Sequence, residues 1–350
     1  MVQCCNARAA ATLPYAVRHP NVPLDATMTT ESASAAASSS RILSAPDYRV
    51  GLAVDTDWRR PVVAVDGEVR GADIHYDHHQ TRERLNIDTL PHDITMPGTI
   101  CTPMIDSDSI ISAACILLRA AGQHAEEDAA RPVLIEAAHY CDYLIPTGSQ
   151  DRDTEQHGLG LHCWLKGRGF DLVEVLAWER GEIAERNGSW HPQPSAATRS
   201  STFESLVGAL ANQIRVGQLA ADTRWLDRIA EMAAMAEDAV TRRYGTVAHV
   251  RLKAYVDPIA LYQAIDADVV VQERILADDR YAYTIGLNPR AYGRRDLLGL
   301  AAILGARDPG WGGRSNAIGS PRGVGSALTT DVVADILRDW LSSLPTRRAG

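Results

Sequence analysis

The pattern of hydrophobic and polar positions along this chain changes texture several times. Up to about residue 45 it shows no apolar periodicity, and ESASAAASSS (31–40) is small and polar. Such a segment buries too little to offset its ordering entropy, so disorder is expected over 1–45, with Met28 an alternative start to Met1. From Tyr48 onward, PVVAVDG (61–67), ADIHYDHH (72–79) and TICTPMI (99–105) are short apolar or alternating runs that predict strands. SIISAACILLRAAG (109–122) has helical apolar spacing and closes on Gly122, which predicts a helix. Pro132 then precedes VLIEAAHYCDYLI (133–145), a helical or helix-to-strand stretch.

The polar, glycine-rich DRDTEQHGLGLHCWLKGRG (151–169) predicts a loop or lid. Helices are expected over 171–185 and 202–243, separated by a Pro/Ser-rich break at 190–201. After Gly245 strand patterns return in TVAHVRLKAYV (246–256), DVVVQERI (268–275) and YAYTIGL (281–287), with helices over 296–304 and 330–343. Between those helices lies the glycine-dense WGGRSNAIGSPRGVGS (311–326). The order predicts an α/β protein: a parallel-sheet lobe over 46–190, a helical connector over 191–245, and a smaller α/β lobe over 246–345.

Composition narrows the function. The 350 residues are 45% hydrophobic and 23% charged, an ordinary globular balance. The net charge of −9 argues against a long nucleic acid or a membrane as partner. No apolar run reaches the ~18 residues of a spanning helix. The six cysteines form no CxxC, and the opening lacks the apolar stretch of a secretory signal, so a cytoplasmic protein with free thiols is expected.

Candidate chemistry concentrates in three acidic and histidine-bearing pieces. His75-Tyr-Asp77-His78-His79 ends a predicted strand, and alternation places His75, Asp77 and His79 on one side with His78 opposite. Asp106-Ser-Asp108 sits at a strand-to-helix turn, where two carboxylates reach one point near an electropositive helix start. His139-Tyr-Cys-Asp142 ends an apolar run. Imidazoles with carboxylates suit Mn²⁺, Mg²⁺, Zn²⁺ or Fe²⁺, and the oxygen-rich balance favours Mn²⁺ or Mg²⁺. Asp88, His92 and Asp93 lie in a connecting loop, and His157 and His162 in the polar segment, where solvent exposure is expected. In the second lobe, 280–325 holds seven arginines against two aspartates. Its glycines free the backbone to approach an anion, and Arg314 and Arg322 supply forked donors.

These pieces together resemble the DHH-type phosphoesterases, whose metal-binding α/β lobe is followed by a second lobe with a GGHxxAxG-like loop. Asp77-His78-His79 is similar to the name motif, and Asp106-Ser-Asp108-Ser-Ile-Ile-Ser-Ala to the acidic strand-turn-helix motif. Ala137-Ala-His-Tyr-Cys-Asp142 resembles the late aspartate motif, and Gly312-Gly313-Arg314-Ser-Asn-Ala317-Ile-Gly319 the second-lobe loop. The resemblance spans roughly 60–150 and 245–345. It departs from the family in three ways: the DHH precedes the acidic turn, the histidine usual upstream of that turn is absent near Thr102, and Arg314 replaces the loop histidine.

The resemblance implies a metal-dependent hydrolase of a small phosphorylated compound or short nucleotide. Asp77, His79, Asp106, Asp108 and Asp142 would hold one or two ions, Mn²⁺ first among them. Asp77, His78 and Asp108 would act in catalysis, His78 as a ligand or in orienting the phosphate. Gly312, Gly313, Arg314, Ser315, Asn316 and Arg322 would bind the substrate. A degenerate nucleotide-binding protein is the alternative, and a non-heme Fe(II) enzyme a third reading.

Overall fold

The structure, a computed structural model, describes residues 46–343 apart from 53–56, 79–84, 149, 187–188, 222, 254–255, 277–279, 293–294 and 322–323. The expectations for 1–45, for His79 and for Arg322 therefore lie outside the described residues.

The protein is α/β. Its first sheet is parallel throughout, in the order β1-β4-β2-β3, from β1 (Asp47–Val50), β2 (Val62–Val65), β3 (Ile74–Tyr76) and β4 (Thr99–Thr102). Strands β2 and β4 are buried along their whole length, as continuous apolar runs in a covered parallel sheet should be. One face packs Val63, Val65 and Ile100 against Ile110 and Ile111 of α1 (Ser107–Ala120) and Phe203 and Leu206 of α4 (Ala196–Arg215). The opposite face is a smaller cluster of Val62, Ala64, Val69 and Cys101.

Helix α2 (His124–Tyr143) carries Pro132 inside it and ends on Leu144 with φ +61°. The stretch 133–143 is thus all helix, with no strand. The expected lid at 151–169 is also corrected. Those residues form the front of α3, a single helix over Arg152–Glu179 that Asp151 caps by accepting from the amides of Asp153 and Thr154. Its glycines serve close packing, since a Cβ on Gly158 would stand 2.2 Å from Glu136 Cβ and one on Gly160 2.7 Å from Ala221 Cβ. A hairpin of β5 (Ile183–Arg186) and β6 (Ser189–Pro192) precedes α4, and α5 (Thr223–Asp238) follows it.

The second sheet is mixed. Strands β7 (Val240–Tyr244), β8 (Val247–Arg251), β9 (Val269–Ile275) and β10 (Tyr281–Leu287) join the short hairpin β11 (Gly312–Gly313) and β12 (Ala317–Gly319) in the order β11-β12-β10-β9-β8-β7. Only β8 and β9 run parallel, joined across α6 (Pro258–Ala264). Val269, Val271 and Ile285 pack on α7 (Leu298–Arg307) and α8 (Thr330–Ser343). Ala248, Val250 and Val270 on the other face share a core with α5, α6, and Tyr140 and Cys163 of α2 and α3. The second sheet therefore shares buried side chains with α2 and α3.

Candidate metal centre

A parallel sheet gathers the carboxyl ends of its strands along one edge, and this is where α/β folds build sites. Asp66 directly follows β2, β3 leads into Asp77 and His78, and the chain after β4 passes through Pro103 to Asp106. Asp66 holds a left-handed backbone, φ +53°, which a short polar side chain tolerates, and its amide donates to Tyr76 O at 3.0 Å. Gly67 follows at φ +134°, where a Cβ would meet Pro103 at 2.5 Å. The Asp66-Gly67 turn is thus pressed against the segment that carries Asp106.

Asp106 caps α1. Its Oδ1 accepts from Ser109 N at 2.9 Å while Ser109 Oγ meets Asp106 N at 3.0 Å, a capping box that orients the carboxyl group. Asp108, in the first turn, is fully buried; Oδ2 accepts from Asn86 N at 3.1 Å, and Oδ1 has no hydrogen-bond partner among the described residues. Asp142 arrives from the last turn of α2.

These groups converge on His78. Its Nε2 lies 3.5 Å from Asp66 Oδ1, 3.8 Å from Asp108 Oδ2 and 3.4 Å from Asp142 Oδ2. Ligand atoms of Asp66, His78 and Asp108 all lie within 4.8 Å of one another, and all three residues are buried. Burial, and then the charges of Asp66 and Asp142, hold the Asp106 carboxyl well above the usual range. Asp108 is raised by burial and then by Asp142, Asp66 and Asp106. The Cys141 thiol is pushed up by burial and the charges of Asp106 and Asp142. Four carboxylates and one imidazole, with Asp66, His78 and Asp108 buried and Asp106 and Asp142 half-buried, form an oxygen-rich donor set that fits a hard or borderline divalent cation.

Among the sequence candidates, the structure brings His78, Asp106, Asp108 and Asp142 together. Asp77 is buried beside His78 but is not one of the converging groups. The alternation expected for 72–79 does not extend this far, because β3 stops at Tyr76; His78, placed opposite Asp77 by alternation, is the residue that faces the carboxylates. His75 points elsewhere, with Nε2 3.0 Å from Val69 O. His139 bonds Ile145 O at 2.6 Å and stacks on Tyr143. Asp88 pairs with Arg131 at 3.2 Å, and exposed His92 stacks on His124. His157 is exposed, as expected. His162 is not, because α3 turns it inward onto Ser107 Oγ at 2.9 Å, and burial followed by the Lys166 charge lowers its pKa to about 3.

Sequence reasoning missed Asp66. Its signal was available: a wholly apolar run closing on Asp-Gly marks an acid at a strand's carboxyl end, just as TICTPMI leads to Asp106.

The glycine-dense segment forms the β11-β12 hairpin at the sheet edge. Arg314 N donates to Ala317 O at 2.7 Å, and the carbonyls of Ser315 and Asn316 accept from Leu297 N and Leu287 N, each at 2.8 Å. Gly312, Gly313 and Arg314 are exposed. The Asn316 side chain bonds Tyr292, whose phenol is raised by burial and by nearby Tyr143, the residue after Asp142. That contact sets the hairpin's supporting loop close to the end of α2. Several of the surrounding arginines are already engaged: Arg290 with Asp266 at 3.1 Å, Arg295 with Asp268 at 3.4 Å, and Arg280 with the carbonyls of Val324 and Gly325. No described helix is long and apolar enough to cross a membrane.

No protein-family model matches this chain, and no curated protein matches it. Among solved structures, it is similar to the pGpG-specific phosphodiesterase PggH from Vibrio cholerae at 13% identity and a TM-score of 0.40, over 80% of this chain and 81% of that one.

Proposed function

We propose that this protein is a metal-dependent hydrolase of a phosphoester or phosphoanhydride in a small phosphorylated compound or short nucleotide, of the DHH type that its motifs resemble. The observation that carries this reading is the convergence of buried Asp66, His78 and Asp108, with Asp106 and Asp142 beside them. Carboxylates buried together repel unless protons or cations intervene, and the mixed oxygen and imidazole donors select a divalent ion, Mn²⁺ first and Mg²⁺, Zn²⁺ or Fe²⁺ with similar chemistry. When bound, such an ion supplies charge to polarise a phosphoryl oxygen and to acidify a water.

The chain's own residues divide the remaining work. Asp66, Asp106, Asp108 and Asp142 supply the anionic cradle, and the capping bonds of Asp106 hold it rigid. His78 binds the cation or donates to the phosphate. Asp77, buried beside His78, and His79, outside the described residues, are the further candidate ligands from the DHH tripeptide. In the second lobe Gly312, Gly313, Arg314, Ser315 and Asn316, with Arg322 outside the described residues, would bind the phosphate or leaving group, with the guanidinium of exposed Arg314 as the main anchor.

The test is metal content of wild type and Asp108→Asn after Mn²⁺ reconstitution, with turnover of bis(p-nitrophenyl) phosphate in parallel. Near-stoichiometric manganese and turnover, both lost in the variant, are expected. Manganese absent from the reconstituted wild type would sink the proposal.

A further inference from the structure

A cavity of about 420 Å³ opens beside the β4–α1 turn. Asp106 and Cys141 line it, and the same two residues border the carboxylate cluster. The two spaces therefore share a wall.

The lining is largely apolar. Ile110, Leu165 and Leu206 form buried walls, and Val173 continues them toward the surface. At the mouth Met104 is 62% and Phe170 52% exposed, an apolar rim that nothing in the fold covers fully. A few polar groups break this lining. Ser107 Oγ and His162 Nδ1 lie 2.9 Å apart, and buried His162 Nε2 has no hydrogen-bond partner among the described residues. Lys166, whose Nζ is 2.6 Å from Asp257, and exposed Arg199 also line the cavity.

Small-molecule sites run to roughly 300–1,000 Å³, mostly apolar with a few placed polar groups. This cavity fits that description and does not fit a phosphate alone, which would leave the exposed Met104 and Phe170 uncovered. We infer that it receives a flat aromatic or heteroaromatic ring of the substrate, with the ring against Met104, Phe170 and Val173, its polar edge toward His162, and its phosphate toward Asp106. The inference rests on the hydrolytic reading above and adds the substrate class: a ring-bearing phosphorylated compound, not a simple alkyl phosphate or a polyphosphate.

Gly169 offers a clean probe. It lies inside α3 and lines the cavity, and a Cβ there would stand 3.5 Å from Leu206 Cδ1, an ordinary contact. Gly169→Leu therefore fills the space while improving helix propensity, and Val173→Trp fills it from a partly exposed position. Affinities of 1-naphthyl phosphate and methyl phosphate are measured by calorimetry on the Mn²⁺-loaded protein. Wild type is expected to prefer the naphthyl compound by about tenfold or more, because only it buries a ring. The ratio should fall to about one in both variants, with Tm unchanged or higher for Gly169→Leu.

Equal affinities in wild type, or a preference surviving in both folded variants, would overturn the inference. A second arm in EDTA compares 1-naphthoate with acetate. Ring preference there with no Mn²⁺-dependent turnover would overturn the hydrolytic reading while the cavity stands as a ring site. Turnover without ring preference would overturn the cavity assignment alone.

Discussion

His78 Nε2 lies 3.4 Å from Asp142 Oδ2, although one residue follows a short strand and the other closes a long helix. Each of these groups is buried or nearly so, and Asp66 and Asp108 crowd the same imidazole. Like charges held together in this way cost stability in isolation, and a bound cation would restore it.

Asp66→Asn should accordingly raise the Tm of the metal-free protein, because one buried like charge is removed. The same change should abolish the Mn²⁺-induced rise in Tm, which in wild type corresponds to roughly 2.7 kcal/mol at a hundredfold excess of metal over Kd. Asp77→Asn, outside the converging set, should leave a larger share of that rise. Differential scanning fluorimetry with and without Mn²⁺ reads all three proteins. A metal response in Asp66→Asn equal to that of wild type would remove Asp66 from the ligand set.

The raised carboxyls of Asp106 and Asp108 fix the sign of a pH effect. Above the ordinary carboxylate range the folded, metal-free chain still holds protons that the unfolded chain has released. Stability in EDTA therefore falls as pH rises through the raised values. Protons and metal compete for the same oxygens, so the Mn²⁺-induced Tm shift should be larger at about pH 8 than at about pH 5. A pH-independent shift would place the metal elsewhere.

His249 acts in the opposite direction. Burial, and then Arg242, lowers its pKa to about 4, and its Nε2 lies 3.0 Å from the Tyr244 hydroxyl. Between about 6.5, the unfolded value, and that depressed one, the unfolded chain takes up a proton that the folded chain refuses. Its contribution is thus lost as pH falls through this window, at on the order of 1 kcal/mol per pH unit. Chemical denaturation of His249→Gln across the window should show a shallower acid limb than wild type, and an unchanged slope would refute the assignment.

Two helical glycines should respond oppositely to the same substitution. Gly208 in α4 has nothing within 4 Å of a new Cβ, so Gly208→Ala should stabilise by about 0.5–1 kcal/mol. Gly158 in α3 crosses α2 so closely that the new Cβ meets Glu136 Cβ at 2.2 Å and Ala137 N at 3.1 Å. Gly158→Ala should destabilise despite its better propensity, by about 1–3 kcal/mol. Urea midpoints moving in the same direction would contradict this close crossing of α3 on α2.

Much of the α/β order is legible in local pattern. The run SIISAACILLRAAG predicts α1 and TICT predicts β4 because apolar spacing and its boundaries are local properties. The segment 151–169 misleads for an equally physical reason. Glycine lowers intrinsic helicity, but in α3 it lets two helices approach, and the packing gained exceeds the propensity lost.

The candidate site divides along the same line. Local order along the chain dictates that acids and histidines fall at strand ends, and that an Asp-x-Asp opens a helix, since both depend on residues within a turn of one another. Which of them meet is set by the packing of distant elements. The parallel pairing of β2 with β4 sets Asp66 beside Asp106 and Asp108, the early end of β3 turns His78 toward them, and the packing of α2 on α1 delivers Asp142. No spacing along the chain encodes these approaches, because they are fixed by how the buried faces of separate elements fit together.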